Sequence, residues 1–345
     1  MTTQPHRLYR WSLSTLHIIF VVTLILSGLW LGLALWIQQP FGSYTLYAIG
    51  LWLFFCLSTL ILYIRPFKFS RRHIALSYTI CIVFALLWYF SIPAKQNREW
   101  NPEVSKILSY ERSGDLIRLH NIRNFDWHSD GSYTEHWETR NFNLKDIQGV
   151  NIITSYWMGP QIAHTLVSFD FKDQAPLAFS IEIRKEKTEE FSAIGGFFRK
   201  YELSLVASDE KDIIYTRSNI RHEQVYFFPV NMKQNMAQEL FLEYLTKADD
   251  LAKHPKWYNT LTSNCTTLVF DMIQAVSEQP LPSDYRLLAS GYLPNYLKDL
   301  NVLPHDWDMK TWYQRAHVNP KTQQKTNLSS QEYSTLIRST VHSTF

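Results

Sequence analysis

The chain has 345 residues, 46% of them hydrophobic, with 34 Lys or Arg against 31 Asp or Glu and a formal net charge of +3. The charge is an average of two unlike parts: residues 1–98 hold eight basic residues and no acid, and the remainder holds 26 basic and 31 acidic residues, a net of −5. One small domain is too little for this length, and without a basic stripe on the charged part a nucleic-acid partner is excluded.

From Trp11 to Ile64 there is no Asp, Glu, Lys or Arg, and a second uncharged run reaches from Ile74 to Ala94. Crossing about 30 Å of hydrocarbon takes roughly 20 apolar residues in a helix. The polar, turn-rich stretch Gln38-Gln39-Pro40-Phe41-Gly42-Ser43 divides the first run in two. Three membrane spans are therefore expected, near 13–37, 44–64 and 74–91. Trp11, Trp30, Trp36, Tyr44, Tyr47, Trp88 and Tyr89 fall mostly near their ends, as interfacial aromatics do. Arg7 and Arg10 precede the first span, and Arg65, Lys68, Arg71 and Arg72 fill the second loop, while the first loop is uncharged. By the positive-inside rule the N-terminus is cytoplasmic and the remainder after about Lys95 lies outside, in a periplasm-type compartment. The first segment is too long and lacks a small-residue cleavage site, so it reads as an anchor rather than a removed signal. The expected division is a membrane anchor over 1–95 and an extracytoplasmic domain over 96–345.

Beyond the anchor come segments with strand character at 116–122, 133–142 and 150–156. IAHTLVSFDF (162–171) alternates well, the turn KDQAP (172–176) follows it, and LAFSIEI (177–183) is its expected antiparallel hairpin partner. Residues 201–206 and 224–229 are further strand candidates. The period then becomes helical at 231–251 and 266–276. Strands first and helices after them describe an α+β domain with an antiparallel sheet.

Cys56 and Cys81 fall within the spans, where they serve as small apolar packing residues, so Cys265 is the one thiol of the charged part. In LTSNCTTL (261–268), Ser263 or Asn264 is a good N-cap, which sets Cys265 in the first turn of a helix. Unpaired N–H groups and the positive end of the helix dipole favour thiolate there. Cys265 also shares an apolar stripe with Leu268, Val269 and Met272, so a buried packing cysteine is an equal reading of the position alone. A base is available in His164, at the mouth of the alternating strand. Ser180 and Glu182, on the adjacent strand, are candidates to orient its ring. Taken alone, His164, like any one of the twelve histidines, reads first as an exposed strand-end histidine. His120, His128 and His136 recur at a spacing that suits no metal motif, and there is no GxSxG, P-loop or GxGxxG. No metal and no cofactor is expected.

The stretches Arg123-Asn-Phe-Asp-Trp127, Trp137-Glu-Thr-Arg140, Ser155-Tyr-Trp157, IAHTLVSFDF, SIEIRKE, Tyr201-Glu-Leu203, Arg217-Ser-Asn-Ile-Arg221, Ser263-Asn-Cys-Thr-Thr267 and Gly291-Tyr-Leu-Pro294 resemble, in order, the Lnb N-terminal periplasmic domain family over most of residues 105–300. The resemblance implies a permuted papain-like core of NlpC/P60 or lecithin-retinol-acyltransferase type. It implies Cys265 as nucleophile, His164 as base and Glu182 as the third member; with Ser263 or Asn264 as helix cap, the backbone N–H groups of Ser263, Asn264 and Cys265 are the oxyanion candidates. The acyltransferases that name the family carry membrane segments after this domain, whereas this chain has three before it. Three functions follow from these readings. The first is a thiol-dependent acyl-transfer enzyme acting on a membrane lipid or lipoprotein. The second is a cysteine amidase or peptidase acting on peptidoglycan peptides or envelope proteins. The third is a non-enzymatic envelope module in which Cys265 only packs.

Overall fold

The computed structural model describes residues 5–65, 70–323 and 328–341, with side chains from residue 15 onward. Of the basic residues that set the expected orientation, Lys68 and the side chains of Arg7 and Arg10 lie outside the described residues. The chain divides into two compact units, Met1–Ala94 with Ser192–Lys200, and Lys95–Phe191 with Tyr201–Phe345.

The first unit contains helices α1 (Pro5–Gln38), α2 (Thr45–Ile64) and α3 (Arg71–Ser91). Their stretches Thr15–Gln38, Gly42–Ile64 and Arg71–Ser91 are long and apolar enough to cross a membrane, although α1 begins before its expected apolar start. The expected break is a sharp turn in which Gln39 and Gly42 take positive φ. Small and polar residues join the helices, as suits a solvent without a hydrophobic drive between them. A Cβ on Gly28 would come within 3.1 Å of Cys56 Sγ. Trp52 donates to Gly28 O at 2.9 Å, and Tyr78 Oη donates to Leu24 O at 3.0 Å.

The second unit is built on an eight-stranded sheet. Its strands are β1 (Ser109–Ser113), β2 (Leu116–Arg123), β5 (Trp137–Asn143), β6 (Ile147–Tyr156), β7 (Ala163–Phe171), β8 (Gln174–Arg184), β9 (Glu202–Asp209) and β10 (Gln224–Val230). The order is β1-β2-β9-β8-β7-β6-β10, with β5 also on β2; β3 (Asp126–Trp127) and β4 (Tyr133–Thr134) form a separate ribbon. The expected antiparallel sheet needs one correction: β2 meets β9 in parallel, through Arg123 and Ser208, so the sheet is mixed. The correction has a local cause: β5 runs along one edge of β2 as far as Arg123, β1 covers the other edge only from Leu116 to His120, and β9 meets β2 beyond β1.

β7 and β8 pair antiparallel, as the alternation requires. Their turn is tighter than KDQAP suggests. Phe171 already faces Gln174, Asp173 takes φ +57, and Pro176 lies inside β8 beside an irregularity in the register that spares its missing N–H. One face of the sheet is covered by α5 (Gln234–Lys253) and α6 (Cys265–Val276). Residues of α5 at helical spacing, Leu240, Phe241, Tyr244 and Leu245, are fully buried there, Phe241 against Phe169, Phe171 and Phe179. The other face receives α4 (Glu210–Tyr215), a π turn (Thr216–Ile220) and, after the short helices α7 (Leu293–Asp299), α8 (Met309–Ala316) and α9 (Asn319–Thr322), the C-terminal α10 (Ser330–Arg338).

Candidate functional site

Cys265 opens α6, and Asn264 is the cap. The Asn264 side chain accepts from the N–H groups of Thr266 and Thr267 at 2.8 and 2.9 Å, and its own N–H donates to Thr267 Oγ1 at 3.0 Å. This reciprocal cap fixes the first turn and the thiol with it. Ser263, the other cap candidate, instead exchanges backbone hydrogen bonds with Asn259. Of the backbone N–H groups expected to hold an oxyanion, those of Ser263 and Asn264 are thus already donating, which leaves that of Cys265 itself.

α6 packs on β7, and Thr165 and Thr266 join them through a hydroxyl hydrogen bond of 2.9 Å. The residues just before each threonine are His164 and Cys265. Each charge shifts the ionisation of the other, and the Thr165 N–H also favours the charged thiol. Both groups are buried.

His164 Nε2 lies 2.7 Å from Ser180 Oγ, which in turn donates to Glu182 Oε1 at 2.7 Å; Glu182 Oε1 is itself 3.3 Å from His164 Nε2. Since Ser180 gives its proton to Glu182, His164 is the donor to Ser180. That assignment leaves Nδ1 for Cys265.

Arg217 completes the cluster, donating to Glu182 at 2.6 Å and to Glu223 at 3.2 Å. Glu223 also accepts from Ser155, the residue opposite His164 on β6. Arg217 sits in the π turn that continues α4, and α4 is tied down at Asp212. The Asp212 carboxylate accepts from Arg123 at 2.8 and 3.0 Å, from the Phe125 N–H at 2.9 Å and from Trp127 at 2.8 Å. The stretch Arg123–Trp127 therefore wraps one buried carboxylate and fixes the turn that carries Arg217. A wide turn of this kind inside a helix often marks a site where a side chain must be re-aimed.

The electrostatics follow from these neighbours. Burial and the Arg217 cation press His164 toward its neutral form, but the Cys265 and Glu182 charges outweigh them and hold its pKa up, at about 9. Burial alone would raise Cys265; the His164 charge and hydrogen bond, with the Thr165 N–H and Thr266 hydroxyl, bring it below its ordinary value. Burial likewise opposes ionisation of Glu182, and Arg217 and His164 reverse that effect, holding it well below the carboxylate range. All three shifts favour a thiolate, an imidazolium and a carboxylate together.

Sequence reasoning singled out Cys265, His164, Ser180 and Glu182; hydrogen bonds join His164, Ser180 and Glu182, and Cys265 opens the helix that packs on the strand of His164. It missed Arg217, whose partners are distant in sequence, and two tyrosines. Burial and the nearby Cys265 charge raise the pKa values of Tyr244 and Tyr258. Tyr244 stands in the apolar stripe of α5, where spacing alone marks it as core. Among the described residues no group of three His, Cys, Asp or Glu could hold a metal ion.

A cleft of about 650 Å³ opens beside the strand end that carries His164. It is lined by Tyr156, Trp157, Pro160, Tyr226, Tyr292 and Tyr313 among others, with no Asp, Glu, Lys or Arg. Tyr156 pairs with Ala163, the neighbour of His164. Its wall depends on Gly291: a Cβ there would fall 2.1 Å from the Pro160 carbonyl oxygen, and the Gly291 carbonyl accepts from Tyr156 Oη at 2.7 Å.

No curated protein and no solved structure matches the chain. The family model for the Lnb N-terminal periplasmic domain matches residues 133–291, a span that contains His164, Glu182, Arg217 and Cys265. Three apolar helices long enough to cross a membrane thus precede a region, residues 133–291, that is similar to the Lnb N-terminal periplasmic domain family.

Proposed function

We propose that the protein is a membrane-anchored, thiol-dependent acyl-transfer enzyme with a permuted papain-like core, acting on a lipid or lipoprotein at the bilayer surface. The observation that carries this reading is the chain Cys265–His164–Ser180–Glu182–Arg217. It favours a thiolate beside a proton donor and fixes the imidazole from behind. The Cys265 thiolate attacks the carbonyl carbon of an acyl ester, forming a C–S bond. The C–O bond breaks, and His164 gives its proton to the departing alcohol. An amine then attacks the thioester, yields its proton to His164 and frees the thiolate. The Cys265 N–H, at the positive end of α6, is the donor available to the oxyanion.

The uncharged aromatic cleft favours an acyl or lipid substrate over a peptidoglycan peptide, whose carboxylates call for basic partners. The basic residues Arg7 and Arg10, ahead of the first apolar stretch, and Arg65, Lys68, Arg71 and Arg72, between the second and third, support a cytoplasmic N-terminus, with residues from about 96 onward forming the periplasmic domain. Reporter fusions after Ala94 should be active only outside the cytoplasm.

The test is direct. The full chain in phospholipid nanodiscs should acquire a hydroxylamine-labile acyl group on Cys265, detected by mass, and lose it on adding an acceptor amine. Cys265→Ser should abolish the adduct, and His164→Ala should slow its formation by roughly 10²–10⁴-fold. A chain that releases peptides from peptidoglycan and never acylates would establish the amidase reading instead. Full envelope phenotype in Cys265→Ala would sink both.

A further inference from the structure

The loop between β8 and β9 leaves the sheet after Arg184 and returns at Glu202, yet its tip, Ser192–Lys200, belongs with the three apolar helices. The tip reads SAIGGFFRK, with no acid. It is held at the ends of α1 and α3. Gln38, the last residue of α1, donates through Nε2 to the carbonyls of Phe198 and Arg199 at 2.6 and 2.9 Å. Arg199 Nη1 reaches the carbonyls of Tyr89, Phe90 and Ile92 at 3.1, 3.2 and 3.2 Å, at the end of α3, where the last carbonyls lose their i+4 donors. Its guanidinium lies 5.1 and 4.9 Å from the rings of Tyr89 and Phe90. Phe198 is buried with Leu31, Ala34 and Tyr89.

Ile194 and Phe197 behave differently, being 52% and 40% exposed. The depth of the tip can be read from its partners. α1 and α3 run in the same direction, so Gln38 and Ser91 end on the same side of the bilayer, and each spanning stretch is about the length that hydrocarbon requires. Side chains bound at those ends lie at the boundary between acyl chains and headgroups. Trp36 and Phe41, exposed on the same side, are the aromatic residues such a boundary collects. Two exposed apolar side chains followed by Arg199 and Lys200 match it as well, with hydrocarbon below and phosphate at the level of the cations.

We infer that Ser192–Lys200 is a lipid-inserted segment, in which Ile194 and Phe197 enter the acyl-chain boundary of the bilayer on the side where α1 and α3 end. The occupant of this apolar surface is phospholipid, through continuity with the spanning helices, and no second protein is needed to cover it. One consequence bears on the site: β8, which carries Ser180 and Glu182, is tied through this loop to the membrane. The inference needs the three helices to span the bilayer, and it stands whether or not Cys265 transfers acyl groups.

The experiment uses the full chain in phosphatidylethanolamine–phosphatidylglycerol nanodiscs. In a Cys56→Ala, Cys81→Ala, Cys265→Ser background, nitroxides are attached at Ile194→Cys, at Phe197→Cys and, as a water-facing reference, at Leu288→Cys, 58% exposed in the sheet unit. At 194 and 197, collisions with oxygen should exceed those with a water-soluble nickel chelate at least threefold, with the ratio reversed at 288. Nickel collisions at 194 and 197 equal to those at 288 would overturn the inference. A second measurement leaves the cysteines intact. Benzoylphenylalanine in place of Phe197 should photocrosslink to phospholipid, and crosslinking to water or protein alone counts equally against the inference.

Discussion

The two faces of β7 bury their side chains in opposite ways. Thr165, Val167 and Phe169 turn to α5 and α6, where Phe169 meets Phe241 and Tyr244 edge-on at 5.2 and 5.9 Å. His164, Ser168 and Asp170 turn to the other side, and each finds a polar partner. His164 meets Ser180, Ser168 donates to Glu210 at 2.5 Å, and Asp170 accepts from Arg338, which also holds Glu210. The apolar face needs only volume and area, because the hydrophobic effect has no direction. Ion pairs taken out of water roughly break even against hydrocarbon of the same size. What the polar face contributes is therefore position, and position is what a proton-transfer site requires.

The comparison predicts separable effects. The largest is on stability. Phe241→Ala removes a fully buried ring and should cost about 3–5 kcal/mol, read as a lower midpoint in thermal unfolding of the detergent-solubilised chain. Its pH profile of Cys265 alkylation should match that of the parent. A variant with a displaced profile would mean that the two faces are not independent.

The opposite signature is expected of His164→Ala. With the Cys265 pKa lowered and that of His164 raised to about 9, the thiolate is stabilised only while the imidazolium beside it persists, so alkylation by iodoacetamide should hold up as pH falls below the ordinary thiol range. An isolated thiol of pKa near 8.5 is only roughly 0.3% ionised at pH 6. His164→Ala should therefore slow alkylation at pH 6 by about a hundredfold and leave the rate at pH 9.5 little changed. A parallel drop at both pH values would point to lost access rather than lost charge.

Glu182→Gln comes next. Removing the carboxylate withdraws support from the imidazolium and leaves the Arg217 cation unopposed on that side, so both effects lower the His164 pKa. The acid limb of Cys265 alkylation should move upward by about one pH unit, close to tenfold at a fixed pH below it. An unmoved limb would reduce Glu182 to a structural partner of Arg217.

The sequence was most legible where a single period or composition decides the outcome. Two uncharged runs, the first divided by a polar turn, marked three apolar helices, and the alternation of IAHTLVSFDF marked β7 and its partner. Cys265 was legible because Ser263 or Asn264 suggested a cap just before it; that the cap is Asn264, with Thr267 closing it, came from the structure. Arg217 was not legible, because its role depends on a π turn, on Asp212 being wrapped by Arg123–Trp127 and on Glu182 of another strand, contacts among residues that lie far apart in the chain. The single parallel pairing of β2 with β9 was hidden for the same reason. The pattern within a strand fixes which residues face together, and it says nothing about which neighbour arrives.

The smallest effect separates the cap from the chemistry. Asn264 was a candidate for both, and its side chain is already occupied by the N–H groups of Thr266 and Thr267. Asn264→Asp keeps the cap acceptor but loses the Nδ2–H that donates to Thr260 O at 2.7 Å, so stability should fall by about 1 kcal/mol. Asn264→Ala should cost about 1 kcal/mol. The new charge, however, sits one residue from Cys265 and opposes the thiolate, while it favours the His164 imidazolium. The acid limb of alkylation should therefore shift upward, by less than for Glu182→Gln, since much of the charge is already engaged by the helix N–H groups. A modest loss of stability with a small upward shift is the behaviour of a cap beside a thiolate. A large loss of the Cys265 acyl adduct in Asn264→Asp with the alkylation profile unmoved would instead assign the Asn264 side chain to the oxyanion.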